Sequence, residues 1–307
     1  MRVAEQFASP EAAVPRAILA LENLNGAATY HETYGARQPL AAYRVSLSNV
    51  ASRLLVVLDE LPTTRPAGPE RGAADANCEQ RLLEATDHLL DALMEHMDDC
   101  GSIIRSMFPT SDEARHRTVY SKYKRSVEPY RKHIGAIVNY IKHNQGRLRS
   151  VNFAWLGGSI PGYYVEGPIG SGVGPAQAIH GEEPTAFSFN RDVPFHICSL
   201  FAVGDRLAAA LRSADSRIDL GHAAPATEPM PSDLSTALRR ASALPRVFFP
   251  DEVKKPMPLI QLNGDALTIE LPSSAVKPSG PPLGSKVLIS ARGDGVTRSF
   301  KLPYLRR

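Results

Sequence analysis

The chain has 307 residues, 43% hydrophobic and 22% charged, with 35 Lys plus Arg against 32 Asp plus Glu for a net charge of +3. That balance excludes wholesale disorder, a collagen-like chain and a membrane bundle, and the length fits about two ordinary domains or one elaborated one. Cys78, Cys100 and Cys198 are odd in number and far apart, which excludes a disulfide framework and a cysteine-rich zinc site. No segment reaches the roughly 18 uninterrupted apolar residues of a spanning helix, so the expected setting is cytoplasmic, with no membrane, cofactor or metal.

From Glu11 to about Gln145 the apolar residues recur at helical spacing. Leu40, Tyr43, Leu47, Val50, Leu54, Val57 and Leu61 mark one amphipathic helix, and Leu82, Ala85, Leu89, Leu93 and Met97 mark a second across Asn77 to Cys100. Tyr120 to Gln145 predicts a third, which Pro129 should kink or divide because it lacks the N–H of the helical ladder.

Between Ser150 and Asn190 the period falls toward two. Val151 to Leu156 and Tyr163 to Glu166 flank the turn-rich Gly157 to Gly162 and predict a hairpin. Gly167 to Gly174 reads as a flexible connector, Ala176 to His180 and Ala186 to Phe189 as short strands, and Pro194 to Ser213 as a returning helix.

Three proline-rich stretches, Leu61 to Ala73, Ala223 to Ser232 and Pro272 to Gly284, read as linkers or long loops. Leu259 to Leu271 contains Asn263-Gly264, a strong hairpin signal because both turn residues tolerate positive φ. Val287 to Ser290 and Thr297 to Lys301 predict a second hairpin. The expected fold class is therefore α+β: a mainly helical bundle with an inserted β-hairpin region and a small β-rich C-terminal unit. The expected division is a bundle over 1–222 with its insertion at about 150–190, a proline-rich linker with a short helix over 223–257, and a four-stranded unit over 258–307.

The small net charge conceals two opposed segments. Ala74 to Cys100 holds eight acids and one base, whereas Gly101 to Ser150 holds eleven bases and three acids. Either two sequential helices pair and neutralise each other's flanks, or part of the basic segment faces outward and holds an anion such as nucleic acid. On a helical wheel Arg125, Lys132, Asn139 and His143 fall within about 40° of one another, and Asn139, His143 and Arg147 recur every four residues. With Lys142, Asn144 and Arg149 these make a candidate nucleic-acid surface in which His143 could serve as a general acid or base. Alternatively, Lys142-His143-Asn144 ends a helix, with Gly146 just beyond it and Lys and His favouring the negative end of the helix dipole.

The basic helix with Asn139-x-x-x-His143-Asn144, together with Arg191-Asp192-x-x-x-His196, resembles the HEPN-like bacterial proteins. These are helical bundles of toxin, phage-defence and RNA-processing systems. The resemblance spans about Leu40 to Ser213. It implies RNA as partner and, for an active member, metal-independent RNA cleavage. The catalytic candidates are then Arg191 and His196, which match the family spacing of Arg, four to six residues and His, with His143 beside them. A different class of function is a non-catalytic scaffold or protein-interaction module whose C-terminal strands contact a protein partner or a second copy of the chain.

Overall fold

A computed structural model describes residues 1–24, 29–61, 73–144, 146–155, 158–170, 172–218, 231–272 and 301–304. The chain opens with strand β1 (Val3–Phe7) and helix α1 (Arg16–Glu22). Three long helices follow: α2 (Pro39–Glu60), α3 (Ala73–Arg105) and α4 (Glu113–His143). The inserted region holds β2 (Arg147–Trp155), β3 (Gly158–Ile169), β4 (Gly172–Pro175), the one-turn helix α5 (Gln177–His180) and β5 (Phe187–Ser188). Helix α6 (Phe189–Ala214), helix α7 (Ser232–Ser242) and the hairpin β6 (Leu259–Asn263) and β7 (Ala266–Leu271) complete it. This is the expected α+β class. The second C-terminal hairpin and most of the three proline-rich stretches lie outside the described residues.

The three helical stripes pack as their spacing dictates. Tyr43, Leu47, Val50, Leu54 and Val57 of α2 are buried, as are Leu82, Ala85, Leu89, Leu93 and Met97 of α3 and Tyr123, Val127, Tyr130 and Ile134 of α4. Helix α2 begins cleanly because Pro39 suits the first turn and the Gln38 side chain accepts from the Ala41 N–H at 2.8 Å. Helix α3 runs on past Cys100. Gly101 does not stop it, because a Cβ there would lie 3.1 Å from the Tyr120 ring and the glycine instead lets α3 approach α4. Pro129 does not divide α4 either. It sits on the exposed side, where water can replace the lost backbone bond.

The inserted sheet differs from its sequence reading in four places. Strands β2 and β3 pair from Arg147↔Glu166 to Trp155↔Gly158, so the expected turn residues Gly158 to Gly162 belong to the ladder. Pro161 is accommodated because, among the described residues, β3 has no neighbour on its other side until β5 pairs Gly162 and Tyr163. The expected connector Gly167 to Gly174 is the tight β3–β4 hairpin, with Gly170 at φ 59°. The expected strand Ala176 to His180 is α5, held where His180 Nε2 accepts from the Val165 N–H at 3.0 Å. Helix α6 starts at Phe189 rather than Pro194, which places Arg191, Asp192 and His196 on one helix.

Helix α6 is the centre of the molecule. Among the described residues it alone has the length and hydropathy to span a bilayer, yet 78% of its apolar window is buried against α1, α3, α4 and both sheets. The second sheet has the order β1-β7-β6, all antiparallel. Its hairpin loop is Gly264-Asp265 rather than Asn263-Gly264. Asn263 pairs with Ala266, and Gly264 alone takes positive φ. Ile260, Leu267, Ile269 and Leu271 join the main core with α1 to α7, while Val151, Phe153, Ile160, Tyr164, Ala186 and Phe249 form a smaller one under the β2–β3 hairpin.

Candidate functional site

Helix α4 divides its basic residues between two roles. On the flank toward α3, Lys142 reaches Asp91 at 2.8 Å and Arg131 reaches Asp98 at 2.6 Å, so part of the charge opposition is neutralised between the helices. Near the α3–α4 corner Arg105 pairs with Glu113 at 2.9 Å. The outer face is different. Lys122, Lys124, Arg125, Lys132, Asn139 and His143 are all exposed. Among the described residues Lys122, Lys124 and Lys132 make no ion pair, and Arg125 donates only to the Ser121 carbonyl of its own helix.

The helix ends before the stripe is complete. His143 is its last residue and Asn144 caps it, the Asn144 N–H donating to the Tyr140 carbonyl at 3.0 Å. Gly146 does not take positive φ; a Cβ there would lie 2.6 Å from the Tyr140 ring, so glycine is needed for close approach rather than for a left-handed cap. Arg147 therefore lies on β2, not on the α4 stripe. Arg147 and Arg149, two residues apart on one strand face, both donate to the buried carboxylate of Glu166 on β3, at 2.7 and 2.9 Å.

Arg191 and His196 are buried, and they point different ways. Five residues on a helix set them about 140° apart. Arg191 donates to the Pro256 carbonyl at 2.9 Å and stacks over Phe195, and its Nε is buried without a partner. His196 sits one helical turn from Asp192, with Nε2 3.1 Å from Asp192 Oδ2 and Nδ1 3.0 Å from the Tyr130 hydroxyl. Tyr163 donates to the same Oδ2 at 2.7 Å. Burial alone would raise the Asp192 carboxyl, but His196 and the Tyr163 hydroxyl outweigh it and hold it down at about 2. Nearby, burial lowers both His133 and His180 to about 4.

His143 is remote from Arg191 and His196. Tyr130 touches His196, and thirteen residues of helix, about 20 Å, separate Tyr130 from His143. The candidates thus divide into an exposed basic face and a sealed polar cluster. Tyr130 and Tyr163, which complete that cluster, carry no sequence signal beyond their apolar periodicity. Among the described residues no three His, Cys, Asp or Glu side chains lie close enough to hold a metal ion.

Compared with known proteins, the chain matches no family model, no curated protein and no solved structure.

Proposed function

We propose that the protein binds RNA without cleaving it, through the outer face of α4. The observation that carries this reading is the set Lys122, Lys124, Arg125 and Lys132, exposed within three turns of one helix and not ion-paired with any described residue. Cations arranged along a rigid helix suit a phosphate backbone, and Asn139 and His143 extend the face with hydrogen-bonding groups. The resemblance to HEPN-like proteins supports RNA as the ligand class. A cleaving reading has less support, since His143 stands about 20 Å along the helix from the His196 cluster, and that cluster is closed to solvent.

Fluorescence anisotropy of a labelled single-stranded RNA tests this. Binding should weaken steeply with salt. The variant K122Q/K124Q/R125Q/K132Q should lower the slope of log K against log salt by about 0.7 per lost contact, and the RNA should be recovered intact. Unchanged binding in the variant overturns the surface. Cleavage that His143→Ala abolishes overturns the non-catalytic reading.

A further inference from the structure

Helix α1 meets α6 at a close approach, where a Cβ on Gly204 would lie 3.1 Å from both the Pro15 ring and the Tyr43 hydroxyl. Alongside this contact is a cavity of about 510 Å³, lined by Arg16 and Leu19 of α1 and by Asp205, Arg206, Ala209 and Arg212 of α6. Three guanidinium groups here face one carboxylate. Arg206 is half-buried, and neither it nor the exposed Arg212 makes a hydrogen bond or ion pair with a described residue. Arg16 approaches two carboxylates through Nε, 3.5 Å from Glu5 Oε1 and 3.6 Å from Asp205 Oδ1. Both of those oxygens are buried, and Glu5 and Asp205 lie within hydrogen-bonding reach of each other, so the proton that Glu5 holds lies between the two carboxyls.

The charges do not cancel. Burial, and the Asp205 carboxylate beside it, push Glu5 up to about 8, and even with both carboxyls counted the three arginines outnumber them. Arg206 and Arg212 are six residues apart, about 9 Å along the helix. That spacing suits a chain of phosphates better than a single one. Guanidinium forks match phosphate oxygens, and the volume falls in the range of small-molecule sites.

We propose that this cavity binds a nucleotide carrying two or more phosphates, the phosphate chain lying among Arg206, Arg212 and Arg16. The site is independent of the α4 surface.

Isothermal titration of the full chain with adenosine diphosphate and with inorganic pyrophosphate tests the proposal. Both should bind saturably, the nucleotide more tightly. Arg206→Gln and Arg212→Gln should each weaken both ligands about tenfold or more. Ala209→Phe, which fills the cavity from an exposed position and removes no charge, should abolish binding while leaving the melting curve in place. Lys124→Gln/Lys132→Gln on α4 should change neither affinity. Absence of saturable binding, parental affinity in the two arginine variants, or loss of binding in the α4 variant would each overturn it.

Discussion

Tyr163 on β3 donates its hydroxyl to Asp192 Oδ2 on α6 across 2.7 Å, in a position where neither residue meets solvent. That bond fastens the inserted sheet to the central helix, and His196 and Tyr130 extend it to α4. Tyr163→Phe keeps the ring and removes the donor, so it should cost about 1–3 kcal/mol in a urea melt. Because Asp192 is held down at about 2 against 3.8 for a free carboxyl, its contribution is complete above pH 4 and is lost as pH falls from about 4 to 2. Asp192→Asn should flatten the stability profile across that acidic window. An unchanged profile would remove the cluster from the forces holding the insertion.

Glu5 shows the opposite linkage. Its folded value of about 8 lies above the free value of 4.5, so the folded state binds the proton more tightly and stability declines as pH rises from 4.5 to 8. Glu5→Gln should flatten that decline and raise Tm at pH 8 by about 2–4 °C. A lower Tm at pH 8 would show that the carboxylate itself is needed.

Glu252 is also raised, to about 7, by burial, yet its replacement should act in the other direction. Its Oε1 accepts from the Ser188 N–H at 3.0 Å, and its Oε2 accepts from the Ser188 hydroxyl at 2.5 Å and the Phe249 N–H at 2.9 Å. Glu252→Gln turns one acceptor toward a donor it must repel, and should cost about 1–3 kcal/mol. Thermal melts of the Glu5 and Glu252 variants at pH 7 should therefore move apart in sign.

Gly162 faces the carbonyl of Phe187 and the ring of Phe249, and a Cβ there would lie 2.3 and 2.5 Å from them. Gly162→Ala should destabilise by about 1–3 kcal/mol or more through displacement of β5. By contrast Lys122→Gln, Lys124→Gln and Lys132→Gln, all exposed, should stay within about 0.5 kcal/mol of the parent while weakening RNA binding. Denaturant melts and anisotropy on the same samples separate the two behaviours.

Elements that bury one face were legible because their apolar period survives in the sequence: Tyr43 to Val57 gives α2, and Tyr123 to Ile134 gives α4 through Pro129. Boundaries set by tertiary contact were not. Gly101 looks like a stop until Tyr120 is seen against it, and Arg147 continues the α4 wheel although Gly146 must fit under Tyr140. The exposed cations of α4 could be found from composition and periodicity, since a solvent face is the complement of a buried one. Arg191 and His196 satisfied a spacing, but spacing carries no burial, and both face inward on a helix enclosed by α1, α3, α4, α7 and strands of both sheets. Arg16, Arg206 and Arg212 come together only because α1 packs on α6, some 190 residues later in the chain.

The partner of β1 has a kinetic consequence. Val3 to Phe7 can enter its sheet only when Ala266 to Leu271 exist, about 260 residues later. On a ribosome adding 5–20 residues per second, that first strand waits roughly 13 to 50 s with its ladder unfilled. Closing the sheet is thus a late, long-range event in folding. Throughout that delay the charge of Glu5 in the middle of β1 works against premature pairing with other chains.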